Sequence, residues 1–108
     1  MTVKELQEKY SFEILSLPHP EREVSGGYIG DLLSWFMGRA GEDNAWITIM
    51  TNVNIAAVAA LADVSVVIIA EGAKPDFSVV ETAEAKGVNI LSSTQTAYEL
   101  AVRICNDI

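Results

Sequence analysis

Three short stretches carry the side chains best suited to hold a polar molecule. They are Thr51-Asn52-Val53-Asn54, Glu71-Gly72-Ala73-Lys74 and Ser92-Ser93-Thr94-Gln95. Their hydroxyl and amide groups form neutral hydrogen bonds, and glycine lets backbone approach a ligand closely. The same groups serve equally well as helix caps. A fourth stretch, Ser25-Gly26-Gly27-Tyr28-Ile29-Gly30-Asp31, places glycines ahead of an acidic residue. It is neither G-x-G-x-x-G nor a Walker loop, because no Gly-Lys-Ser/Thr follows. Asp31 would repel an anion lodged there and suits a helix N-cap better than a base. His19 is the only histidine, set between two prolines, and Cys105 is the only cysteine. Neither has a partner in the sequence that would make it a general base or a nucleophile. Asp31, Glu71 and Asp76 could gather around a divalent cation, but their spacing does not require it. No catalytic residue, metal site or cofactor is assigned.

These loops need elements to position them. The chain has 108 residues, the size of one domain, and shows no internal repeat or linker. Strand formers concentrate at 45–50, 66–69 and 88–91, and Val66-Val67-Ile68-Ile69 reads as a strand buried on both faces. Helical spacing covers 54–62, 77–86 and 96–104, with Gly87 as a left-handed stop after the second. Strand and helix alternate with short links, the pattern of parallel βαβ units. The N-terminal half is less regular. It predicts a helix at 3–9, strands at 12–15 and 23–25, and a helix from the Asp31 cap to about Arg39. The expected fold is α/β: a small three-layer βαβ-type domain with a mainly parallel central sheet. In such a sheet ligands bind beyond the carboxyl ends of the strands. Thr51, Asn52 and Asn54 are therefore the predicted hydrogen-bonding groups. Thr48 would support them from the strand, Gly72 would allow close backbone approach, and Gly26 and Gly27 would form the opposite lip.

Composition narrows the partners. Seven Lys and Arg stand against fifteen Asp and Glu, a net charge of −8. Such a surface is repelled by nucleic acid and by anionic membranes. One cysteine excludes an internal disulfide and a multi-cysteine metal site. The longest apolar run, 64–70, is too short to span a bilayer, and residues 1–10 lack a secretory pattern, so a cytoplasmic location is expected.

Leu32, Leu33, Trp35, Phe36 and Met37 cover more than one face of their predicted helix. They form either a partner surface, most simply a two-fold homodimer, or a helix buried within the domain. Excess negative charge also suits an adaptor or small subunit docked on a larger redox or metabolic enzyme.

Gly27-Tyr28-Ile29-Gly30-Asp31-Leu32-Leu33-Ser34, then Trp46-Ile47-Thr48, Asn52-x-Asn54, Ala57-Val58-Ala59 and Val67-Ile68-Ile69, resembles the DRTGG domain. Gly87-Val88-Asn89-Ile90-Leu91-Ser92 and Thr96-Ala97-Tyr98-Glu99 fit the same family. The resemblance implies an α/β fold similar to the N-terminal domain of HPr kinase/phosphorylase. It also implies a regulatory or interaction role, commonly dimeric, with no established catalysis. Such domains occur between the CBS domains of some inorganic pyrophosphatases. The motif behind the family name is altered here. Its Asp-Arg pair falls near Asn52-Val53, and its Thr-Gly-Gly near Ala70-Glu71-Gly72, with one glycine kept. Loss of the arginine removes a fixed cation and points to a neutral or cationic ligand. The combined expectation is a non-catalytic regulatory module that binds a small polar molecule at the strand ends and acts as a homodimer.

Overall fold

The computed structural model describes residues 1–108. Its centre is the β-branched run Val66–Ile69, strand β4, whose four side chains are all buried. Val66 and Ile68 face one side of the sheet and Val67 and Ile69 the other, as the two-residue period of a strand requires. Five strands build the sheet: β1 (Glu13–Ser16), β2 (Gly27–Ile29), β3 (Ala45–Thr48), β4 and β5 (Ile90–Ser92). Their order across it is β1-β5-β4-β3-β2. β2, β3, β4 and β5 run parallel, and β1 pairs antiparallel with β5.

Handedness decides where the helices go. From β2 to β5 each new strand is added on the same side of the last. Right-handed crossovers then put every connecting helix on one face. That face carries α2 (Leu33–Phe36), α3 (Asn54–Ala62) and α4 (Phe77–Lys86), packed through Phe36, Ile55, Ala59, Val79 and Ala83. The two helices outside the crossovers, α1 (Val3–Tyr10) and α5 (Ala97–Ile104), cover the opposite face through Val3, Leu6, Leu100 and Ile104. The result is three layers, as the alternation of strand and helix predicts.

The N-terminal half departs from the sequence reading. Residues 23–25 form no strand; Glu23 makes only an isolated bridge to Thr2. The strand is Gly27–Ile29, so Gly27 begins an edge strand in register with Ala45. The predicted helix to Arg39 shortens to four residues, and Asp31 does not cap it. The Asp31 carboxylate accepts instead from Thr48 Oγ1 at 2.7 Å and from the Ile49 backbone N–H at 2.9 Å. Phe36 is fully buried and stacks on Trp46, ring centroids 3.8 Å apart. Burying one such ring stabilises the fold by roughly 2–3 kcal/mol, which anchors this short helix despite its length.

The segment from β1 to β2, residues 17–26, crosses from one edge of the sheet to the other. It passes under the N-terminal ends of the parallel strands. The buried Asn89 amide clamps His19 there, accepting from its N–H at 2.9 Å and donating to its carbonyl at 2.7 Å. Asn89 also donates to the Ser65 carbonyl at 2.9 Å. Arg22 donates to Asp43 and Asp63, at 2.7 and 3.0 Å, and to the Val64 carbonyl. This end of the sheet is closed by the chain itself.

Candidate functional site

The other end of the sheet is open. Parallel strands deliver their following loops to it. The loops after β3 and β4 both turn toward the α3–α4 face. The loop after β5 turns the other way, because α5 lies on the α1 face. Between β4 and β5 the two loops therefore diverge, the arrangement that opens a crevice in doubly wound sheets.

A cleft of about 400 Å³ lies at this divergence. The β4–α4 loop contributes Gly72 and Lys74, and the β5–α5 loop contributes residues 92–95. The α1–β1 corner adds Tyr10, Phe12 and Glu13, and α5 adds Arg103. Two backbone hydrogen bonds join the diverging loops at their base: Glu71 N–H to the Gln95 carbonyl and Gly72 N–H to the Ser93 carbonyl, both 2.8 Å. Glu71 and Gly72 both have positive φ, 60° and 70°, and Ala73 N–H closes the turn onto the Ala70 carbonyl. This is the pattern of a type I′ turn, which favours glycine at both central positions. Glycine stands at the second. At the first, glutamate occupies a backbone conformation that costs a non-glycine residue about 1–2 kcal/mol.

Polar groups in the cleft divide into committed and free ones. Ser92 Oγ donates to Glu13 Oε2 at 2.9 Å, and Lys74 Nζ donates to the same oxygen at 2.6 Å. The Lys74 ammonium, helped by Ser92, holds the Glu13 carboxyl below its ordinary range. Ser93 Oγ accepts from Gln95 N–H. The side chains of Ser11, Thr94 and Gln95 make no internal hydrogen bond. The Arg103 guanidinium lies 5.2 Å from the centre of the Tyr10 ring. The cleft can thus offer hydroxyl and amide groups, two cations and one carboxylate.

The residues singled out from the sequence are distributed over three places. Gly72 lines the cleft. Thr48, Thr51, Asn52 and Asn54 stand at the end of β3, where neighbouring loops run to the same face and no crevice opens. There Thr48 is buried, with its hydroxyl bound to Asp31 and to the Met50 N–H, and Asn52 Oδ1 accepts from Asn54 N–H at 2.9 Å. Gly26 and Gly27 sit at the start of β2, at the opposite end of the strands, and do not form a facing lip. They border a separate apolar groove of about 240 Å³ beside Ile104, Cys105 and Ile108. Leu32, Trp35 and Met37 are exposed at 63, 54 and 47%, Leu33 is half-buried, and Phe36 belongs to the core instead of an interface. Asp31, Glu71 and Asp76 do not converge; no three acidic, histidine or cysteine side chains gather as a metal set would.

Lys74 and Arg103, which line the cleft, were not among the binding residues predicted from the sequence. Lys74 lay in a loop already singled out for its polar groups. Arg103 gave no signal, because a lone basic residue in the last turn of an amphipathic helix reads as an ordinary exposed position.

The fold matches a solved structure, that of the CBS and DRTGG domains of the regulatory region of Clostridium perfringens pyrophosphatase, complexed with its activator diadenosine tetraphosphate. The superposition has a TM-score of 0.73 at 13% sequence identity, a likeness of fold. It covers 94% of this chain and 44% of the other, so the chain spans less than half of that regulatory region. No curated protein matches the sequence. The family model of the DRTGG domain matches residues 30–106, most of the chain and both loops of the cleft, and the chain belongs to that family.

Proposed function

We propose that this DRTGG domain is a non-catalytic regulatory module that binds a small polar ligand in the cleft between the β4–α4 and β5–α5 loops. The observation that carries the reading is the divergence of those loops around side chains with no partner in the protein, Thr94 and Gln95 among them. The role in regulation is supported by the likeness to a regulatory region that holds a nucleotide activator. The non-catalytic reading is supported by the likeness to a regulatory region and by the single histidine and the single cysteine lying outside the cleft. His19 packs on Gly87 at the closed end, and Cys105 borders the apolar groove. Gly72 is the shared element with the sequence reading. Thr51, Asn52 and Asn54 would reach only a ligand long enough to extend across the end of β4.

The test is thermal unfolding in the presence of diadenosine tetraphosphate and its component nucleotides. A ligand at one hundred times its Kd stabilises the folded state by about 2.7 kcal/mol. The expected outcome is a saturable rise in Tm that is lost in a Thr94→Ala, Gln95→Ala double variant. A rise that the double variant keeps in full would move the site elsewhere.

A second reading has its own observation. Leu32, Trp35 and Met37 expose apolar surface beside the Arg39 guanidinium, which stacks on Trp35 at 3.4 Å. Such a surface suits a homodimer, or an adaptor seated on a larger enzyme. Light scattering should give a dimer mass that Trp35→Ser reduces to a monomer. A monomer mass for the unaltered chain would remove the homodimer, and a dimer mass kept by Trp35→Ser would move its interface off this surface.

A further inference from the structure

Resting on the cleft as the ligand site, we propose that the ligand's recognised group is an oxyanion, phosphate or carboxylate, held by Lys74 and Arg103. Glu13 is its built-in competitor. Charge placement carries this. The chain has only seven basic side chains in a total of −8. Lys4 pairs with Glu8, Lys9 with Asp107, and Arg22 with Asp43 and Asp63. Arg39 and Lys86 border no cavity. Lys74 and Arg103 are the basic residues that line one, and both line the same one. Arg103 has no carboxylate within ion-pair distance, so its planar fork of donors stands ready for two oxygens at once.

Lys74 is held, but loosely. Its pair with Glu13 leaves the two side chains 64 and 55% exposed, and exposed ion pairs contribute little. Both Lys74 and Ser92 contact one Glu13 oxygen, Oε2. Ser92 therefore keeps Glu13 in place when Lys74 turns toward a ligand. Two further carboxylates stand one helix turn either side of Arg103. Glu99 feels its charge without forming an ion pair with it, and Asp107 is engaged by Lys9 and Tyr10. Neither lines the cleft, which leaves Lys74, Arg103 and Glu13 as the charges in direct reach of a ligand there.

The experiment is an amide NMR titration of the whole chain with pyrophosphate, succinate and the dication putrescine, in wild type and in Glu13→Gln, Lys74→Gln and Arg103→Gln. All three side chains are on the surface, and unshifted amides in β3 and β4 confirm that each variant is folded. The expected result is saturable shifts at Gly72 and at 93–95 with pyrophosphate or succinate, whichever source of oxyanion the cleft prefers. Lys74→Gln and Arg103→Gln should each weaken binding roughly tenfold, the value of one charge-assisted hydrogen bond. Glu13→Gln should tighten it about threefold or more, by removing the competitor. Shifts at the same amides with putrescine, or weaker binding in Glu13→Gln, overturn the oxyanion while leaving the cleft as the site. No shift there with any probe, diadenosine tetraphosphate included, overturns both.

Discussion

The two ends of the parallel strands are made from the same kinds of residue and do opposite things. At the N-terminal end Ser65 and Asn89 are buried and hydrogen-bonded to the chain. At the C-terminal end Ser93, Thr94 and Gln95 are exposed or half-exposed, and much of their bonding capacity is free. The difference is one segment of chain. Residues 17–26 run beneath the first end and satisfy it with backbone groups and Arg22. Nothing crosses the second end, where the loops after β4 and β5 turn to opposite faces. Polar side chains at a strand end hold the fold together where chain covers them, and become available to a ligand where it does not.

This contrast can be broken most severely at Asn89. Replacing it with alanine deletes three hydrogen bonds at a buried site. It should cost roughly 3 kcal/mol, read by chemical denaturation, with ligand response unchanged per folded molecule. A cost below about 0.5 kcal/mol, the range of ordinary surface changes, would mean that the closed end is not held as described. A smaller effect of opposite sign is expected at the open end. Glu71→Gly relieves a left-handed glutamate and should stabilise by about 0.5–1 kcal/mol after the entropy of the added glycine is subtracted. Strain that persists at such a position is typical of functional loops. The smallest effect is acid sensitivity of the Lys74–Glu13 contact. The folded Glu13 carboxyl titrates below its ordinary value of 4.5 because of Lys74. Its contribution to stability is therefore complete above that value and disappears as pH falls through the lower, folded one. Glu13→Gln should flatten that part of the stability profile, measured by thermal unfolding between about pH 5 and pH 3.

Much of the architecture was legible in the residues. The run Val66–Ile69, the Ala-rich helix and the Gly87 stop announced the βαβ units, because burial on both faces and helical period are local signals. What was not legible depends on contacts far apart in sequence. Asn89 sits in a strand-forming stretch, and nothing local shows that its amide meets His19, seventy residues earlier. The antiparallel pairing of β1 with β5 is equally remote. The cleft was hidden for the same reason. Thr51, Asn52, Gly72 and residues 92–95 look alike as polar loops, and the loop after β5 becomes special only once α5 is known to cross to the α1 face. Asp31 showed the limit of capping rules. Its carboxylate does satisfy a backbone N–H, but that of Ile49 on the neighbouring strand instead of its own helix.

The most direct test is a crystal structure of the chain with whichever ligand raises Tm most. The account predicts electron density between Lys74 and Arg103, with contacts to Thr94 or Gln95 and the base of the Gly72 turn, and an undisturbed clamp at Asn89 and Arg22. Density in the apolar groove beside Gly27 and Cys105, or under residues 17–26, would contradict it.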